Sequence, residues 1–245
     1  MDSLTEMERK FFINTKENFE IIVDYLIKSR RNDSLNLNNY KVKEFVSKER
    51  NYRYFDTFER TLEKGDLLAY VGTLERELGS ASLRERENDF VFTVKLPTDD
   101  PEVRKEYQNE ISGEEIDFYA LSPEDFMHWK PMRMVKERGG NRSLQEVVRL
   151  LVKTNRFDLY QNEQYKIEVA VDEVKGESPL GISSNFYELE IETKEHGTDT
   201  DKEAAALYFT EQFGKHLIQN SLPKWIKALK LMRGEKLQQV QLSDK

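Results

Sequence analysis

Tyr165-Lys166-Ile167-Glu168-Val169-Ala170-Val171-Asp172 alternates without a break. Tyr165, Ile167, Val169 and Val171 fall on one face of an extended chain, and Lys166, Glu168, Ala170 and Asp172 on the other. Such a period of two marks a strand whose faces meet different surroundings, as in an antiparallel sheet covered on one side. The pattern recurs on both sides of it. Tyr187-Glu188-Leu189-Glu190-Ile191-Glu192 is an acidic ladder on one face, and Glu6, Glu8 and Lys10 stand two apart near the start. Arg84 and Arg86 share a face in Leu83-Arg84-Glu85-Arg86, and Lys95 closes Phe92-Thr93-Val94-Lys95. Any one such strand ordinarily turns its polar side to water. Several of them, with charges ordered by sign, have their polar faces gathered together if the sheet closes into a barrel.

Strands are expected at 5–13, 40–45, 52–57, 80–87, 89–96, 156–160, 165–172 and 186–193. Thr15 reads as an N-cap for a helix carrying Phe19, Ile22, Val23, Leu26 and Ile27. Pro101–Glu110 reads as a charged helix, and Ser122-Pro123-Glu124-Asp125 as a helix start with proline at the first position. Ser143-Leu144-Gln145-Glu146 reads as a capping box opening a helix to about Val152. Thr200 and Glu203 form a second capping box before a helix to about Gln219, and Pro223 begins a last helix with Trp225, Leu229 and Met232 on one side. The chain reads as one α+β domain over 1–245, with an extended helical insertion at about 98–152 and C-terminal helices at about 200–233.

The 245 residues carry 38 Lys and Arg against 46 Asp and Glu, a formal net charge of −8. That balance disfavours nucleic acid and anionic membranes as partners, so an anionic ligand needs a local basic cluster. The absence of cysteine removes disulfides, thiolate zinc sites and cysteine nucleophiles, and fits a cytoplasmic location. No apolar run reaches membrane-spanning length; Glu20 and Asp24 interrupt Phe19–Ile27. His128, His196 and His216 lack zinc-site spacing, and Gly214-Lys215 lacks the upstream glycine of a P-loop. The basic stretch Lys130–Arg142 is interleaved with Met132, Met134 and Val135, as in a solvated helix or loop.

In order along the chain, Glu6-x-Glu8-x-Lys10, Tyr54-Phe55-Asp56-Thr57, Leu83-Arg84-Glu85-Arg86, Thr93-Val94-Lys95, a basic strand ending at Arg156, Asp172, and the pair Glu188 and Glu190 resemble the signature of the CYTH superfamily. These are the triphosphate tunnel metalloenzymes, which include class IV adenylate cyclases and thiamine triphosphatases. The resemblance implies an eight-stranded antiparallel closed β-tunnel with flanking helices and a charged lumen. It further implies a triphosphate held by Lys10, Arg84, Arg86, Lys95 and Arg156, and one or two divalent cations, Mg2+ or Mn2+, on Glu6, Glu8, Asp172, Glu188, Glu190 and Glu192. The first five cations and the five acids without Glu192 balance in charge, as enclosed ions must.

Arginine forks suit phosphate oxygens, lysines act as point charges, and carboxylates suit hard cations. Lys10 and Asp172 are the candidate catalytic residues, Asp172 as metal ligand or water-positioning group. Glu192 reads equally as a metal ligand or a solvated rim residue. Lys153 lies three residues from Arg156 and so on the opposite face of a strand. The segment after Lys95, with Trp129, reads as a lid, a plug or a partner surface. The expected function is a metal-dependent phosphohydrolase acting on tripolyphosphate, ATP or thiamine triphosphate, as a monomer or homodimer. An adenylate cyclase producing cyclic AMP and pyrophosphate, and a non-catalytic binder of polyphosphate or nucleotide, are the alternatives.

Overall fold

The computed structural model describes residues 4–32, 37, 39–56, 68–73, 89–99, 103–112, 122, 124–139 and 141–237. Among the described residues, nine strands build one antiparallel sheet: β1 (Leu4–Ile13), β2 (Lys41–Asp56), β3 (Leu68–Thr73), β4 (Asp89–Pro97), β5 (Val103–Ser112), β6 (Gln145–Gln161), β7 (Gln164–Glu177), β8 (Ser183–Thr193) and β9 (Leu217–Gln219). Their order is β5-β4-β3-β2-β6-β7-β8-β1-β9, with a further pairing of β5 to β1. Four helices accompany them among the described residues: α1 (Lys16–Asn32), α2 (Lys130–Gly139), α3 (Asp199–Phe213) and α4 (Lys224–Met232).

The expected closed eight-stranded barrel needs correction. The start of β1, Leu4–Met7, pairs with β5, whereas Glu8–Ile13 pair with β8, so no β1 residue is bonded to both. On the side of Phe11–Ile13 away from β8 lies β9, a ninth strand. The sheet curls until β1 touches β5 at one end, but it is not closed into a barrel. The partner switch along β1 leaves the wall discontinuous.

Alternation sorts the sheet's two faces. On one lie Phe11, Ile13, Phe157, Val169, Val171, Leu189 and Ile191, packed against Phe19, Ile22 and Leu26 of α1 and Ala205, Ala206, Phe209 and Phe213 of α3. The helix α2 covers the same side of β4, where Trp129, Met132 and Val135 pack on Phe92 and Val94. Trp129 is therefore core, not a lid or plug. The opposite face is charged along most of its length and apolar toward one end. There Leu150, Val152, Val174 and Phe186 receive Trp225, Ala228 and Leu229 of α4, and Trp225 stacks on Tyr54 with ring planes 10° apart. Gly176 admits this helix closely; a Cβ there would come within 3.1 Å of Ala228.

Two expected helices are strands. Of the stretches Pro101–Glu110 and Ser143–Val152, Val103–Glu110 lie in β5 and Gln145–Val152 in β6, on either side of α2. Their capping and charge signals are overridden by pairing: β6 bonds β2 along fifteen residues and β7 along thirteen. The capping box of α3 is formed by Thr198 and Asp201, two residues before the expected Thr200 and Glu203, and α3 ends at Phe213. The turn joining β6 to β7 holds Asn162 and Glu163 at φ of 50° and 64°, the paired left-handed conformation of a two-residue hairpin. No helix among the described residues is long and apolar enough to cross a membrane.

After β8 the chain turns tightly against the start of β7. Lys194 N–H donates to Lys166 O at 2.9 Å, and Gly197 N–H to Lys194 O at 2.7 Å. A Cβ on Gly197 would lie 2.0 Å from the Lys166 carbonyl oxygen, whereas one on Gly214 meets only a methyl at 3.6 Å. Gly197→Ala is therefore expected to cost about 2 kcal/mol in urea unfolding, with Gly214→Ala changing stability by under about 0.5 kcal/mol.

Candidate functional site

The charged face breaks a rule of sheet pairing. Glu188 stands directly opposite Asp172, Glu8 opposite Glu192, Glu192 opposite Glu168, and Glu168 opposite Asp158. Like charges at such positions are destabilising unless cations intervene. Lysines and an arginine do intervene, and they divide the face into two networks.

In the first network, Asp172, Glu188 and Glu190 each aim a carboxylate oxygen at a common region, with those atoms within 4.8 Å of one another. The ladder of β8 supplies two of them and β7 the third, because strand alternation keeps 172, 188 and 190 on one face. Lys10 Nζ lies 2.7 Å from Glu8 and 3.0 Å from Glu190. From α4, Lys224 Nζ reaches Asp172 at 3.0 Å, Glu188 at 3.1 Å and Glu190 at 2.5 Å. One turn on, the buried Lys227 ammonium donates to the buried Glu188 carboxylate.

Burial pushes the Asp172 and Glu188 carboxyls above their ordinary range, against the pull of Lys224 on Asp172 and of Lys227 and Lys224 on Glu188. Burial also opposes the charge on Glu190, but Lys10 and Lys224 outweigh it and hold this carboxyl well below its usual value. For Lys224, desolvation is outweighed by Glu190, Asp172 and Glu188, which hold it well above the ordinary lysine range. Lys227 shifts the other way: desolvation pushes it down in spite of Glu188.

In the second network, Arg156 Nε lies 3.1 Å from Asp158 and 3.9 Å from Glu168. Lys194 lies 3.3 Å from Glu168 and 2.8 Å from Glu192, and the one Tyr165 hydroxyl proton is shared between Asp158 and Glu168, each 3.1 Å from the oxygen. Ala170, opposite both Glu190 and Arg156, places a small side chain between the two networks. Further round the sheet, Lys95 lies 3.2 Å from the buried Glu106.

Of the residues singled out in the sequence, Lys10, Glu8, Asp172, Glu188 and Glu190 come together. Glu192 joins Lys194 instead, Arg156 belongs to the second network, and Lys95 pairs within β4 and β5. Glu6 stands in β1 opposite Arg104 of β5. Arg84 and Arg86 lie outside the described residues. Lys224 and Lys227 were not anticipated. Their only sequence signal is a three-residue spacing on a short helix otherwise read as packing, with nothing in the pattern to say that its lysines point inward.

The trio suits a hard divalent cation: three carboxylates from rigid strands, with Asp172 Oδ1 buried and accepting no hydrogen bond. The Lys227–Glu188 contact also makes a stability prediction. Lys227→Met leaves a buried carboxylate with less compensation and is expected to cost about 3 kcal/mol in chemical denaturation. The double variant Lys227→Met/Glu188→Gln should recover more than half of that loss, because it removes both charges.

No family model matches the chain. Among solved structures, a candidate adenylate cyclase from Bacillus halodurans superposes with a TM-score of 0.54 at 18% identity, covering 93% of this chain and 98% of that one. A candidate adenylyl cyclase from Hippeastrum superposes at 0.55 with 14% identity, covering 95% and 97%. The resemblance drawn from the motifs therefore holds at the level of the fold. Interferon gamma of Peromyscus maniculatus is 32% identical over 75 residues, 29% of this chain and 41% of that protein. The chain thus spans less than half the length of that curated relative. The first network runs from Glu8 to Lys227, so a 75-residue stretch cannot contain it.

Proposed function

We propose that this protein is a divalent-metal-dependent phosphohydrolase that cleaves the terminal phosphate of an inorganic or organic triphosphate on the charged face of its sheet. The observation that carries this reading is the convergence of Asp172, Glu188 and Glu190 beside Lys10, on the face that also bears Arg156. Phosphate capture alone asks only for cations. Carboxylates converging beside them add the hard oxygen ligands that a divalent cation uses. Likeness of fold to the Hippeastrum protein, whose dominant activity is described as triphosphatase, supports the hydrolase over the cyclase.

Asp172, Glu188 and Glu190 would hold Mg2+ or Mn2+, with Glu8 adjoining through Lys10. A bound divalent cation neutralises charge that grows on phosphate oxygens during attack by water. Lys10 places a fixed positive charge beside the metal-holding oxygens and so orients the phosphate chain. Arg156, with its planar fork, would grip oxygens farther along, with Lys95 as a further cation; the motif resemblance gives Arg84 and Arg86 a phosphate-binding role. Asp158 and Glu168 hold the Arg156 guanidinium in place.

Purified protein should release orthophosphate from tripolyphosphate, ATP or thiamine triphosphate with Mg2+ or Mn2+. Lys10→Met and Glu190→Gln should each lower kcat by about a hundredfold or more, while Arg156→Ala should raise KM more than it lowers kcat. Cyclic AMP with pyrophosphate from ATP would replace the hydrolase by the cyclase. Metal-dependent binding with no product from any of the three would replace both by a non-catalytic binder.

A further inference from the structure

The three carboxylates read above as metal ligands are also the three that surround one ammonium. Lys224 Nζ sits within 3.1 Å of Asp172, Glu188 and Glu190 together. Their converging oxygens span no more than 4.8 Å, so an ammonium and a divalent cation using the same oxygens would stand almost in contact. Two like charges that close repel strongly at any dielectric constant appropriate to a buried site. Both cannot be seated on those oxygens.

Three lysines share the network, and they are not equally able to leave. Lys10 belongs to β1 and is tied to Glu8 and Glu190 from within the sheet. Lys227 is fully buried in the middle of α4 beside Ala228 and Leu229, so withdrawing it disrupts the helix packing. Lys224 is the first residue of α4 and is 15% exposed, and Pro223 before it provides no side-chain cap. The stacking of Trp225 on Tyr54 holds the helix start and does not involve the Lys224 side chain.

We infer that Lys224 is the built-in counter-cation of the Asp172–Glu188–Glu190 cluster, so that a divalent cation enters only as the Lys224 ammonium withdraws. The inference rests on the reading of that trio as metal ligands. Without metal, Lys224 prevents carboxylate repulsion from opening the β7–β8 pairing. With metal, the ion takes over that task. Lys224 thereby sets metal affinity: it lowers affinity by the free energy of its own three contacts, in exchange for a stable metal-free fold.

The test uses the full chain and Mn2+ alone, with free Mn2+ followed by electron paramagnetic resonance and no triphosphate present. Lys224→Met is expected to bind Mn2+ at least about tenfold more tightly than the unaltered protein, and to be less heat-stable without metal. Equal or weaker binding by a folded Lys224→Met overturns the inference. A second measurement needs no variant: reductive methylation of the unaltered protein, read by peptide mass spectrometry. Saturating Mg2+ should raise the methylation rate of Lys224 several-fold and leave Lys227 protected; an unchanged Lys224 rate overturns the inference. The function reading fails separately. If metal and Lys224 exchange but no orthophosphate is released, the hydrolase is wrong and the exchange stands. If neither protein binds Mn2+, both fall.

Discussion

Carboxylates facing carboxylates across hydrogen-bonded strands form the constraint on which the rest of this structure depends. Glu188 against Asp172 and Glu192 against Glu168 are pairings that a sheet selected only for stability would replace. Retaining them requires cations at fixed places. The fold supplies these from β1, from the turn after β8, and from α4, which lies on the charged side of the sheet while α1 and α3 pack on the other. The last helix therefore has two tasks. It caps the apolar end of the charged face, and it brings the positive charge that lets the acidic ladder exist in a buried setting.

The division into two networks follows from the same alternation. Alternate residues of β6, β7 and β8 belong to the charged face except at the register shift between Leu159 and Tyr160. That shift brings Tyr165, expected on the apolar face with Ile167, round to Asp158 and Glu168. The registers decide which charges meet. Ala170 spaces Arg156 from Glu190. On one side of that small residue lies a carboxylate-rich pocket suited to hard cations, and on the other an arginine steadied by Asp158, Glu168 and Tyr165. Metal-binding and anion-binding chemistry are thus neighbours on one rigid surface. Rigid strands hold such arrangements more faithfully than loops do.

Much of this was legible in the sequence because strands with one apolar and one charged face announce themselves. Alternation at 165–172 put Asp172 on the polar face of its strand, and alternation at 187–192 put Glu188 and Glu190 on the polar face of theirs. The resemblance in motif order is what joined these faces to each other and to Lys10. What failed did so for identifiable reasons. Ser143-Leu144-Gln145-Glu146 has helix-start chemistry, yet β6 is bonded by neighbours on both sides, and long-range pairing outweighs a local cap. Closure into a barrel depends on how β1 divides its partners, and no local pattern encodes that division. Lys224 and Lys227 sit on a helix whose apolar stripe was visible, but which of the remaining residues face the sheet depends on where the helix docks.

The division of β1 among three partners has a consequence for how the chain acquires its shape. Ten residues at the beginning bond to strands centred near residues 105, 190 and 218, so this strand has almost no local contacts to rest on. During synthesis Leu4–Met7 have no strand partner until β5 is made and Glu8–Ile13 none until β8 is made, whereas the β6–β7–β8 meander can pair as it appears. High contact order of this kind slows the final step of folding and prolongs the interval in which a bare edge is open to aggregation. The charged residues Glu8 and Lys10 on that strand then also serve while the chain is incomplete, as gatekeepers that discourage Phe11, Phe12 and Ile13 from pairing with another molecule.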